Sequence, residues 1–317
     1  MKKAVVVGMY VDPAAPIGLD DGGTGYGNLL LYPGILVRRM LESRGVRLYS
    51  EGELPLDEAD ILLCLDLTPE LYRRIRQLPP RIFKILQSCE SPLYAPLSHS
   101  GAVMMDPLWN VIMTWNRGFE ADYIVHYDIP VAGKSASGLP DEPASVSGTP
   151  EMRGVVVASC KVGDHRGFAP ERDTFYQKMA AKGYLDLYGK GWIVDPAARR
   201  FGSVDDKLKT LMKYTFALVI ENIWSPGYVT EKLPDCILAG LPVIYYGDAA
   251  VAAGRFPGTF VPLEAIGEKA FLAARERIFS DYAGFREAVC RSRRMSDSWC
   301  DSYLEAVRQC FQRAGMD

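Results

Sequence analysis

Lys232 and Glu231 open a short apolar-periodic stretch, and Tyr228 and the pair Glu221-Asn222 stand just before it. An ammonium at the start of a helix suits a diphosphate, because free N–H groups, the helix dipole and the cation all favour negative charge. The surrounding elements put these groups where a ligand would meet them. Phe216–Ile220 is a compact apolar run, the pattern of a strand buried on both faces of a parallel sheet. Pro226-Gly227 breaks it, Glu231–Ala239 reads as helix with Gly240 as its stop, and Pro242–Tyr246 reads as strand again. The result is a β-loop-α-β unit with its polar residues at the C-terminal end of the first strand, the edge at which open α/β sheets bind ligands.

The order Glu221-Asn222, Tyr228-Val229-Thr230-Glu231-Lys232 and Ala239-Gly240-Leu241-Pro242-Val243 resembles the donor-site signature of glycosyltransferase family 10, the inverting α-1,3/4-fucosyltransferases. Two further segments carry the resemblance. Val157-Ala158-Ser159-Cys160, Arg172 before Phe175-Tyr176, and Leu187-Tyr188-Gly189 match a patch in which the family's arginine grips the donor diphosphate. A guanidinium fork fits that role, with Arg166 as the rival to Arg172. In the first half, Glu90-Ser91-Pro92 follows a strand, and the family's glutamate at this place is its catalytic base. Downstream the match is partial: Trp109-Asn110 and Thr114-Trp115-Asn116-Arg117 are followed by a displaced acidic part at Glu120, Asp122 and Asp128, and Tyr94 stands where the family often has histidine.

The resemblance implies transfer of L-fucose from GDP-fucose to the 3- or 4-hydroxyl of a GlcNAc- or glucose-containing glycan by single displacement. A sugar hydroxyl is a weak nucleophile at neutral pH, so a carboxylate such as Glu90 must take its proton as the new bond forms. The leaving diphosphate needs cations rather than an acid. Arg172 and Lys232 would meet phosphate, Glu231 would accept from the ribose hydroxyls, and Asn222 and Tyr228 would line the sugar and phosphate. The chain contains no Asp-x-Asp, the motif that holds the metal in GT-A transferases, so a divalent metal is not expected to be essential and no cofactor is required. Two alternatives stand beside this reading: a transferase of the same fold using another nucleotide sugar, and a catalytically silent glycan- or nucleotide-binding protein.

At 317 residues, with 48% hydrophobic and 24% charged residues, the chain is long enough for two ordinary α/β domains. A net charge of −3 gives no reason to expect nucleic acid as a partner. Seven scattered cysteines without a Cys-x-x-Cys pair argue against a disulfide framework, and His99, His126 and His165 lack metal-ligand spacing. No stretch approaches a membrane span, so a cytoplasmic enzyme is expected. Arg291, Arg293 and Arg294 leave weak contact with an anionic membrane face, where a lipid-linked acceptor would wait, as an alternative to a solvated helix face.

Along the chain, strands are expected at Ala4–Tyr10, Ile61–Leu65, Ile82–Leu86, Val111–Thr114, Gly154–Ser159 and Leu185–Tyr188. Helices are expected at Leu29–Arg44 (interrupted near Pro33-Gly34), Pro69–Gln77, Glu171–Lys182 and Asp205–Tyr214, with only helices after Phe260. Gly22, Gly23, Gly25 and Gly27 follow the first strand with the wrong spacing for a dinucleotide fingerprint. They read equally as a loop opening on a ligand cleft or as a plain connection. The Gly/Ser/Ala/Pro-rich stretch 136–153 reads as a linker or surface loop. It separates an N-terminal acceptor-binding α/β domain (1–135) from a C-terminal GDP-sugar-binding α/β domain with terminal helices (154–317). The implied fold is GT-B: two Rossmann-like α/β domains facing across a cleft.

Overall fold

The computed structural model describes residues 1–9, 26–134, 138–140, 153–160 and 164–316. Gly22, Gly23, Gly25 and nearly all of the expected linker lie outside them. The described chain forms two compact units: one of Met1–Gly23, Leu31–Pro130 and Cys300–Asp317, the other of Thr24–Leu30 and Val131–Trp299.

In the first unit the strands are β1 (Lys2–Gly8), β2 (Val46–Ser50), β3 (Ile61–Leu65), β4 (Phe83–Ser88), β5 (Val111–Thr114) and β6 (Ile124–His126). Helices α1 (Tyr26–Ser43), α2 (Pro69–Ile75) and α3 (Gly101–Met104) connect them. All strand pairs are parallel, in the order β2-β1-β3-β4-β5-β6. Apolar runs such as Ile-Leu-Leu-Cys-Leu in β3 fit a sheet covered on both faces. Thr68 caps α2 by accepting from the Leu71 N–H, with Pro69 at the first helical position. The expected interruption of α1 at Pro33 does not occur; the helix runs through it. Proline removes one intrahelical bond, and burial of Val37 and Leu41 on the same helix offsets that loss.

The second unit repeats the plan. Its strands are β7 (Gly154–Val157), β8 (Leu185–Tyr188), β9 (Arg200–Gly202), β10 (Phe216–Ile220), β11 (Val243–Tyr246) and β12 (Phe260–Pro262). They pair in parallel in the order β12-β11-β10-β7-β8-β9. The helices are α4 (Ala169–Ala181), α5 (Lys207–Leu211), α6 (Lys232–Leu238), α7 (Ala249–Arg255), α8 (Glu268–Ser280) and α9 (Tyr282–Arg294). Gly240 ends α6 as expected. It adopts φ +86°, and the N–H groups of Leu241 and Gly240 donate to the carbonyls of Cys236 and Ile237, closing the helix end.

Both halves are the α/β units expected, with three differences. The last helix, α10 (Asp301–Arg313), expected with the second domain, packs in the first unit, where the Tyr303 ring lies tilted 5.3 Å from that of Tyr127 and its hydroxyl bonds Gln87. Phe260–Pro262 is a strand, not the start of an all-helical tail. Helix α6 begins at Lys232 and has only seven residues, so its dipole is a smaller contribution than the sequence suggested. All seven cysteines are free, and no described helix is long and apolar enough to cross a membrane. Arg293 is buried and donates to the Pro140 carbonyl, and Arg291 pairs with Glu287, so the C-terminal arginines are not one exposed basic face.

Candidate functional site

In the second sheet, β7 and β10 are neighbours whose onward connections run in opposite directions, to β8 and to β11. Such a switch point leaves a crevice at the strands' C-terminal ends. A cavity of about 450 Å³ lies there, within the range of small-ligand sites. Val157 and Ser159 from the end of β7, Asn222 beyond β10, and Arg172 of α4 line it. Gly189 closes one wall: it holds φ +137°, and a Cβ there would sit 2.0 Å from the Ala158 carbonyl oxygen, so no other residue fits without displacing β7.

Four of the five expected donor-site residues line this cavity: Arg172, Asn222, Glu231 and Lys232. Arg172 is almost fully buried. It donates to Asn222 Oδ1 (2.9 Å) and Asp173 Oδ1 (3.0 Å), with its guanidinium 5.9 Å from the centre of the Tyr176 ring. Arginine only donates, so the Asn222 amide turns its oxygen to Arg172, and its Nδ2 donor is not used in that bond. Arg166, the rival, is exposed, bonds Asp164 and does not line the cavity. Tyr228 is buried and outside the cavity lining.

Lys232 is held from behind. Its Nζ donates to Glu221 Oε2 (2.9 Å) and to Thr230 Oγ1 (2.7 Å), and Glu221 also accepts the Thr230 N–H. Glu221 is fully buried. An ammonium has three donors, and the third has no hydrogen-bond acceptor among the described residues. Burial pushes the Lys232 pKa down, but the Glu221 and Glu231 carboxylates outweigh it and hold the amine well above the ordinary lysine range. Glu231 is shifted the other way: burial opposes, but Lys232 and Lys207 keep its carboxyl below the usual range, so it is an ionised acceptor.

Sequence reasoning missed part of this wall. Lys190, Lys207 and Asp205 also line the cavity, giving four cations against two carboxylates among the described residues. Lys207 is paired with buried Asp235 at 2.7 Å, whereas Lys190 is exposed and has no partner among the described residues. The available signal was weak: Lys190 follows the Tyr188-Gly189 step already singled out, but Lys207 sits in an ordinary polar helix start. Glu221 was read as part of the motif, and its role as counter-ion to Lys232 shows only in three dimensions.

In the first unit, Glu90 lies two residues beyond β4, partly exposed, on a backbone held by side chains at every polar atom. Asp66 accepts the N–H of Cys89 (3.1 Å) and of Glu90 (2.8 Å). Trp115 Nε1 donates to the Cys89 carbonyl (3.1 Å), and His99 Nε2 lies 2.8 Å from the Glu90 carbonyl. A carbonyl only accepts, so Nε2 carries the proton. Burial lowers the His99 pKa, which favours this neutral form. Asn116 approaches the other ring nitrogen at 3.5 Å. Trp115 and Asn116 therefore serve the Glu90 turn, while the displaced Asp128 pairs with Arg117.

Asp66 is itself exceptional. It is buried at the end of β3 with φ +59°, and burial pushes its carboxyl up to about 6 despite the two backbone N–H groups and the Ser98 hydroxyl that favour its charge. The ionisable groups facing it are Cys64 on β3, Cys89 and Glu90 after β4, and Tyr127 after β6, and among the described residues no cation pairs with it. A folded-state pKa above the unfolded value gives stability that is present below about pH 4 and lost as pH rises through about 6. Relative to Asp66→Asn, which does not titrate, the wild type should therefore lose about 2–3 kcal/mol between pH 4 and pH 7. Urea denaturation of both proteins at the two pH values checks this; a constant difference contradicts it.

Residues 151–274, which hold the cavity, match the family model "Glycosyltransferase family 10 (fucosyltransferase) C-term". The second half of the chain thus carries the family 10 match. No curated protein matches the chain. Among solved structures, an α1,3-fucosyltransferase is similar with TM-score 0.60 and 13% identity, covering 99% of this chain and 89% of that one. A structure of an α1,3-fucosyltransferase with GDP gives TM-score 0.58 at the same identity and coverage. An α-glucosyltransferase in complex with UDP-glucose and DNA gives 0.59 at 10% identity, covering 98% of this chain and 99% of that one. At these identities the likeness is one of fold, and that fold is the GT-B class. Family 10 match and fold together support a glycosyltransferase.

Proposed function

We propose that the chain is an inverting fucosyltransferase that moves L-fucose from GDP-fucose to the 3- or 4-hydroxyl of a GlcNAc- or glucose-containing glycan. The observation that carries this reading is the set Arg172, Asn222, Glu231 and Lys232 on one cavity at the β7/β10 switch point, inside the span that matches the fucosyltransferase family. Arg172, with the third donor of Lys232, faces the diphosphate, and Glu231 accepts from the ribose hydroxyls. Glu90 is the general base: the acceptor O–H gives its proton to the carboxylate as that oxygen bonds C1. The C1–O bond to the β-phosphate breaks with inversion, and its electron pair stays on GDP. Cations stabilise that charge in a partly dry site more strongly than water would. Tyr228, buried outside the cavity lining, is given no ligand contact in this reading.

Arg172, the third donor of Lys232 and the exposed Lys190 would face the diphosphate's charge, and turnover without a divalent metal is expected on that ground. The test is GDP-fucose turnover on GlcNAc- and glucose-terminated acceptors, with and without EDTA, and NMR assignment of the product linkage. Transfer with inversion at an unchanged rate in EDTA is expected. Loss of turnover in EDTA contradicts metal independence, and no transfer from GDP-fucose to any acceptor contradicts the reading as a whole.

A further inference from the structure

We propose that Asp66 is the positioning residue for Glu90, its carboxylate clasping the N–H groups of Cys89 and Glu90 so that the base is presented from a fixed backbone. This rests on the reading of Glu90 as general base. Three independent features meet at Asp66. It accepts two successive N–H groups from a segment 23 and 24 residues away. It does so from left-handed backbone at φ +59°, a conformation that costs a non-glycine residue and persists where the surroundings impose it. It is also an anion buried without a cationic partner among the described residues, a placement that burial alone disfavours. A residue serving only the fold would do better neutral. A carboxylate aimed at the peptide that carries Glu90 gives that turn two charge-assisted bonds, stronger than neutral ones. The remaining polar atoms, the Cys89 and Glu90 carbonyls, are held by Trp115 and His99, so Asp66 completes a cradle that leaves the Glu90 side chain as the group free to act.

The test is a double-mutant cycle on the full chain. Asp66→Asn keeps one acceptor oxygen and tolerates left-handed backbone; Asp66→Gly tolerates the backbone and removes the clasp. With GDP-fucose as donor, kcat should fall about 10- to 100-fold, Gly below Asn, with the donor KM unchanged. In a Glu90→Gln background the same changes should add less than about twofold, because a misplaced base matters only while there is a base. Wild-type kcat in folded Asp66 variants, or an undiminished effect beside Glu90→Gln, overturns the positioning role while leaving the base assignment standing. Wild-type turnover in Glu90→Gln alone removes the base assignment, and the positioning role falls with it. Should the Asp66 variants not fold, amide exchange on the wild type decides. Slow exchange of the Cys89 and Glu90 amides at pH 7 supports the clasp; unprotected amides at pH 7 overturn it.

Discussion

Glu90→Gln is expected to lower fucose transfer by about 10²- to 10⁴-fold, the contribution typical of a positioned general base, while GDP binding is retained. Glutamine matches glutamate in shape but cannot take a proton from the acceptor hydroxyl. The turn that carries it should survive, because Asp66, Trp115 and His99 hold the backbone of residues 89 and 90 rather than the Glu90 carboxylate. The residues proposed to bind GDP belong to the other unit, so calorimetric GDP affinity should not change. Single-turnover kinetics beside that titration separates the outcomes. Near wild-type turnover rejects Glu90 as base, and loss of GDP affinity shows that the substitution has disturbed more than a proton acceptor.

Lys232→Ala should show two effects at once. Removing a charge-assisted phosphate contact costs about 1.5–3 kcal/mol, so GDP affinity should fall by roughly ten- to a hundredfold or slightly more. Stability should fall as well, because Glu221 would be left fully buried without its cation. Breaking a buried pair on one side typically costs about 3–5 kcal/mol. The double variant Lys232→Met, Glu221→Gln removes both charges and keeps an acceptor for the Thr230 N–H. It should recover most of the stability and none of the GDP affinity, as read by urea denaturation and calorimetry. If the double variant binds GDP like the wild type, Lys232 has no phosphate role. If Lys232→Ala is as stable as the wild type, the pair with Glu221 is not structural.

Strong local signals in the sequence carried far. Phe216–Ile220 announced a doubly covered strand, and Gly240 announced the end of α6, because both are decided within a few residues. Lys232 and Arg172 were legible through order in the chain, and both reach the cavity. The long-range arrangement was not legible. Nothing near Asp66 signals that it bonds the peptide 23 residues on, since that meeting depends on β3 and β4 lying side by side in register. Helix α10 is amphipathic, but its apolar face does not say which sheet it covers; the Tyr303–Gln87 contact, 216 residues apart in the chain, answers that. The short strands β6 and β9 each have three residues, too few for a period to show. A tyrosine beside a lysine serves either recognition or packing, and the burial of Tyr228 outside the cavity lining shows only in three dimensions.

The measurement that bears most directly on the account is parallel calorimetric titration of the protein with GDP, UDP, dTDP and NAD, with Arg172→Ala as the control. Selective binding of GDP, lost in Arg172→Ala, is the result expected if the cavity at the β7/β10 switch point is a GDP-sugar site. Preference for UDP or dTDP would keep the fold and overturn the fucose donor, and no nucleotide binding would contradict the account at its centre.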